Sequence, residues 1–152
     1  MQAEIKHNWF YACPPQTVWD FLTKPELLSQ WLMENDIKPV AGHRFMFKTK
    51  AIPAMEFDGN VYCEVLEVIR CKKLSYTWKG GPGDGRLNLD TVVTWTLYAK
   101  DNGTELFLEH TGFGAVTNKA IFEAMDGGWK KNMSEKLAHL ITKKQSDETV
   151  RG

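Results

Sequence analysis

Histidines, cysteines and a glycine run are the groups of this chain that could carry chemistry, and their spacing argues against most of it. His7, His43, His110 and His139 lie far apart and form no H-x-x-x-H pair. Glu109-His110 is not part of an H-E-x-x-H helix, so neither a zinc site nor any other cofactor is expected. Cys13, Cys63 and Cys71 are odd in number and lack C-x-x-C spacing, which reads as reduced thiols and not a disulfide framework. Cys63 alternates with Tyr62 and Glu64 and reads as inert core. The run from Gly80 to Gly85 lacks the G-K-[ST] ending of a phosphate loop and opens no apolar helix. It reads as a hairpin loop, with Lys79 and Arg86 beside it as a weak anion contact. Ser75 and Ser134 sit in no G-x-S-x-G elbow. No catalytic residue is expected. His110 shares the expected concave face with Leu106 and Leu108, where a packed, hydrogen-bonded imidazole outweighs a catalytic base.

The aromatic and methionine stock is richer, with 6 Trp, 8 Phe, 4 Tyr and 6 Met. Much of it must be plain core. Several large residues nevertheless face one another in the expected arrangement: Trp31, Phe45 and Phe47, then Tyr76, Trp78 and Trp95. Met125, Trp129 and Met133 oppose them from a long helix. Gly127-Gly128 reads as thinning that helix where Trp78 and Trp95 approach it. Solid core and a ligand cavity both remain open on these residues alone.

These side chains need elements to position them. Residues 5–12 read as a first strand closed by Cys13-Pro14-Pro15. A short helix follows over 15–22 and a second over 24–33, the latter opened by a T-x-x-E capping box of Thr23 and Glu26. Alternation then predicts strands around Phe45 and Phe47, over 57–69, over Leu74 to Trp78, over 88–99 and over 104–111. Asn102-Gly103 supplies the tight turn between the last two. Phe122, Met125, Trp129, Met133, Leu137 and Leu140 recur at steps of three and four, which predicts one long helix. The class is α+β, an antiparallel sheet curved around a long C-terminal helix after two short helices.

Balanced charge, 19 Lys+Arg against 19 Asp+Glu, excludes the basic footprint of a nucleic-acid binder. At 152 residues one domain is expected, over 1–142, with a polar tail at 143–152 that frays. No apolar run approaches the roughly 20 residues of a membrane span. The opening M-Q-A-E-I-K-H-N-W-F-Y-A shows no secretory pattern. A cytoplasmic monomer is the expectation.

In this order of elements the segments 14–32, 64–78, 91–97 and 104–113, with Gly128-Trp129 in the last helix, carry a resemblance. The chain resembles the START-like helix-grip superfamily, and within it the family of the C-terminal domain of the activator of heat-shock-protein-90 ATPase. Where that family often carries a Pro-Pro pair, this chain has Arg70-Cys71. The resemblance implies a pocket for an apolar small molecule or lipid between sheet and helix. Trp31, Phe45, Phe47, Tyr76, Trp78, Trp95, His110, Met125, Trp129 and Met133 would line it, with Tyr76 and His110 as orienting groups. It also implies two alternatives: a co-chaperone module using the Lys72-Lys73 turn toward a heat-shock chaperone, and a cyclase or aromatase with His110 or Tyr76 as acid or base.

Overall fold

Prolines start both short helices, because proline lacks the N–H that a first helical turn leaves unpaired anyway. Strand β1 (Ala3–Tyr11) ends ahead of Pro14, and α1 (Pro15–Thr23) and α2 (Pro25–Trp31) each begin on a proline. The computed structural model describes the backbone of residues 3–114 and 119–151, and the side chains of residues 4–114 and 119–145. The expected capping box does not form. Thr23 belongs to the last turn of α1, is buried, and turns its hydroxyl back onto the Trp19 carbonyl at 2.8 Å.

The remaining strands are β2 (Glu34–Asn35), β3 (Arg44–Lys48), β4 (Asn60–Ile69), β5 (Lys73–Gly80), β6 (Leu89–Lys100) and β7 (Gly103–Phe113). Among the described residues the seven strands form one antiparallel sheet in the order β1-β7-β6-β5-β4-β3-β2. It curls as a half-barrel around the closing helix. Every neighbour follows its predecessor in sequence except β1, which pairs with β7. Period-two alternation does the sorting: Leu74, Tyr76 and Trp78, then Val93 and Trp95, then Leu108 and His110 all point inward and are buried.

The β6–β7 hairpin turns where expected, by a different device. The positive φ angles belong to Asp101 and Asn102, the two central residues of a type I′ turn. Gly103 already starts β7, and its missing side chain makes room. A Cβ there would lie 2.4 Å from the Phe10 ring and 2.5 Å from the Tyr11 carbonyl oxygen. Backbone cannot yield as a side chain can, so Gly103→Ala is expected to cost about 1–3 kcal/mol or more. Denaturant unfolding checks this; a change under about 0.5 kcal/mol, the usual size at an unremarkable surface position, would overturn it.

The closing helix comprises α3 (Lys119–Lys131), a π-helical segment (Asn132–Leu137) and α4 (Ala138–Arg151). Ile121, Trp129, Met133, Leu137 and Ile141 are buried and Met125 is half-buried. Leu140, given to the stripe by the sequence pattern, is only partly buried. A π turn leaves the regular i→i−4 ladder, and Tyr11 of β1 donates its hydroxyl to the Met133 carbonyl there at 2.7 Å. His7 of β1 reaches Asp126 of α3 at 2.7 Å, so β1 holds the helix at two points. The polar stretch after Lys143 is helical through Arg151, and Gln145 donates to the Ala12 carbonyl. Gly152 of the expected tail lies outside the described residues.

Gly127 and Gly128 do not thin the face toward the sheet. A Cβ at either would meet nothing within 4 Å. Successive helical residues point about 100° apart, so with Trp129 turned to the sheet its two predecessors face elsewhere.

Candidate functional site

Interior aromatics first fill space with one another. Trp78 lies 5.2 Å from both Phe47 and Trp129, Trp95 lies 5.5 Å from Trp129 and 5.9 Å from Trp31, and Phe45 lies 5.2 Å from Tyr76. Met133 is buried beside them. The residues expected to line a pocket are therefore brought together, but largely as packed core.

Their polar atoms are used internally. The Trp129 Nε1–H donates to His110 Nδ1 at 3.0 Å. An indole nitrogen can only donate, so Nδ1 accepts, and the ring proton is assigned to Nε2. Nε2–H then donates to Thr91 Oγ1 at 2.7 Å, and that hydroxyl donates to the Trp78 carbonyl at 2.8 Å. Burial pushes the His110 pKa down from 6.5 to about 3. The imidazole is thus neutral at pH 7, with both nitrogens engaged and no exposed surface. Tyr76 is equally enclosed, its hydroxyl accepting from Trp95 Nε1–H at 2.9 Å while burial raises its pKa. Neither group is poised for acid–base chemistry near neutrality. Cys63 is likewise buried, its thiol pushed up by desolvation.

Open space lies at one end of this core. A cavity of about 210 Å³ sits where the first turns of α3, with Ile121, Ala124 and Met125, meet the sheet at Val61, Trp78 and Leu89. Of the ten expected lining residues, Trp78 and Met125 border it; Trp31, Phe45, Phe47, Tyr76, Trp95, His110, Trp129 and Met133 do not. The reason is packing, since the wide rings at mid-helix meet the sheet directly while the helix end carries smaller side chains. Gly80 at the end of β5 contributes no bulk at all.

Residues that the sequence reading missed close the cavity: Met33 after α2, and Ile52, Met55 and Phe57 from the segment between β3 and β4. That segment folds into a short 3₁₀ turn, Pro53–Met55, with Ile52 bridged to Phe57. Asn88 holds it in place, its Nδ2 donating to the Glu56 carbonyl at 2.9 Å and more loosely to that of Met55 at 3.4 Å. The signal was compositional, because I-P-A-M-E-F at 52–57 is too apolar for a solvated connector. None of the described lining residues is ionisable, and no three His, Cys, Asp or Glu side chains converge anywhere among the described residues.

A curled antiparallel sheet closed by a long C-terminal helix, with an apolar cavity at their junction, defines a helix-grip protein. The family model described as activator of Hsp90 ATPase homolog 1-like protein matches residues 12–142, and the chain belongs to that family. A crystal structure of protein MLL2253 from Mesorhizobium loti is similar at 35% identity, covering 93% of this chain and 98% of that one, with a TM-score of 0.81. Protein BH1534 from Bacillus halodurans, solved in solution, is 29% identical over 93% of this chain and 99% of its own, with a TM-score of 0.73. The Aha1 dimer from Colwellia psychrerythraea shares the fold at 16% identity, covering 86% of this chain and 90% of that one, with a TM-score of 0.67. No curated protein matches the chain at a significant level.

Proposed function

We propose that the protein is a binding domain that takes an apolar small molecule into the cavity at the α3 end of the sheet and performs no chemistry on it. The observation that carries this is a cavity walled, Asn88 apart, by apolar side chains and glycine, with no ionisable group among its described lining residues. Burial of apolar ligand surface, at about 25 cal/mol per Å², supplies the affinity. A cyclase-like role has less support, because His110 and Tyr76 are spent inside the core and do not border the cavity.

Gly80→Leu tests the reading. A Cβ at Gly80 makes only ordinary contacts, 3.7 Å to the Asn60 carbonyl and 3.8 Å to the Phe57 ring, and the added side chain grows from a cavity-lining position. Saturable NMR shifts of wild-type Trp78 and Met125 by an apolar compound library are expected. The variant should lose that binding while melting no lower than wild type. A folded variant that binds as before would remove the cavity from the account.

Family membership and one surface favour a second reading, a co-chaperone module. Lys72 sits in the β4–β5 turn and shares a surface depression with Ile69 of β4 and Tyr98 of β6, both about half exposed, so charge and apolar area are offered together. Titration against a 90-kilodalton heat-shock chaperone checks it, and absence of binding at high protein concentration ends it.

A further inference from the structure

We infer that the cavity selects an uncharged one- or two-ring compound carrying an acceptor oxygen, held by the Trp78 indole N–H, in preference to a lipid. This rests on the cavity reading above.

Size comes first. An engineered apolar cavity of roughly 150 Å³ accommodates benzene, while pockets for drug-sized ligands span about 300–1,000 Å³. At about 210 Å³ this cavity holds one or two fused rings and is too small to enclose a whole sterol or long acyl chain. Charge comes second. A carboxylate or ammonium brought among these side chains would lose its hydration and find no described lining residue of opposite charge, a cost that apolar burial does not offset.

The third observation concerns a hydrogen-bond donor. Trp31, Trp95 and Trp129 each give their N–H to a protein acceptor, the Phe21 carbonyl, the Tyr76 hydroxyl and His110 Nδ1. Trp78 is 4% exposed and, like the equally buried Trp19, which does not border the cavity, donates its N–H to no protein atom among the described residues. No fully enclosed side-chain nitrogen or oxygen there lacks a partner, so the Trp78 nitrogen retains a little accessible surface, and the cavity is the open space that its ring borders. Asn88, the other polar side chain on the wall, commits its Nδ2 to backbone carbonyls. A ligand oxygen at Trp78 would satisfy an N–H that the fold leaves over, and a hydrocarbon would bury it unpaired.

The test compares 1-indanone with indane, the same rings without the oxygen, and with decanoate and oleate as charged chains. Calorimetry on the whole protein should show 1-indanone binding roughly three- to tenfold tighter than indane, the ratio one net hydrogen bond gives. It should move the Trp78 indole proton resonance downfield, with the signal assigned by its absence in Trp78→Phe. In that variant the two ring compounds should bind alike, and Met125→Leu, which leaves the donor in place, should keep the preference. Equal affinity of indane and 1-indanone for the wild type would overturn the inference. So would tighter binding of decanoate or oleate, although the cavity reading would then stand. If these four compounds and the wider apolar library all fail to bind, the cavity reading falls and this inference with it.

Discussion

Trp129→Ala should lose about 3–5 kcal/mol of folding stability, toward the upper end of what removing a buried aromatic costs. The ring is 2% exposed and packed against both Trp78 and Trp95. Removing it leaves a cavity at the centre of the helix–sheet contact. It also strips His110 Nδ1 of its donor, and an orphaned buried acceptor adds about 1–3 kcal/mol of its own. Trp129→Phe separates the two effects by keeping a ring while deleting the N–H. Against a total stability of about 5–15 kcal/mol, the alanine variant should sit near the unfolding threshold. Urea unfolding measures both variants, and a loss below about 1 kcal/mol for Trp129→Ala would show that the helix does not grip the sheet through this residue.

Acid should weaken the fold through His110. Its folded pKa of about 3 lies below its ordinary 6.5, so the unfolded chain takes up the proton first. The stabilisation from the neutral ring is complete above pH 6.5 and drains as pH falls from there toward 3, at about 1.4 kcal/mol per pH unit. By pH 4 this one residue removes about 3 kcal/mol. The groups packed on the ring are Thr91, Trp78, Trp129 and Phe113, none of which titrates in that window. His110→Gln, less stable at pH 7, should show a correspondingly shallower decline between pH 7 and pH 4. Parallel declines for variant and wild type would remove His110 as the acid-sensitive group.

The strands and helices were legible in the sequence because alternation and helical spacing report directly which side chains leave water. The errors fall where one contact overrides a local rule. Thr23 and Glu26 have capping-box spacing, but burial of Thr23 in α1 redirects its hydroxyl to Trp19. Asn102-Gly103 announces a hairpin, yet the strained angles fall one position earlier and the glycine answers to Phe10, a residue remote in sequence. In the closing helix the inward residues Ile121, Met125, Trp129, Met133, Leu137 and Ile141 step strictly by four. On a regular α-helix such a row drifts about 40° with each step. The wider π turn at Asn132–Leu137 takes up part of that drift, and a search for threes and fours substitutes Phe122 and Leu140 for Ile121 and Ile141. The site was half legible. Aromatic richness gave the core, but which rings touch and which leave a gap depends on a connector, residues 52–57, that has no period to read.

The sheet order bears on how the chain is made. Asn8 and Glu105, 97 residues apart, are hydrogen-bonded neighbours across β1 and β7. During synthesis the other strands can add one after another as hairpins, each next to the strand before it. Strand β1, made before every other strand of this sheet, must wait for β7 to emerge. At a translation rate of about 5–20 residues per second, that wait is several seconds. Over that interval Ile5 and Tyr11 have no core to enter, and a chaperone at the ribosomal exit would meet this strand before any other part of the fold.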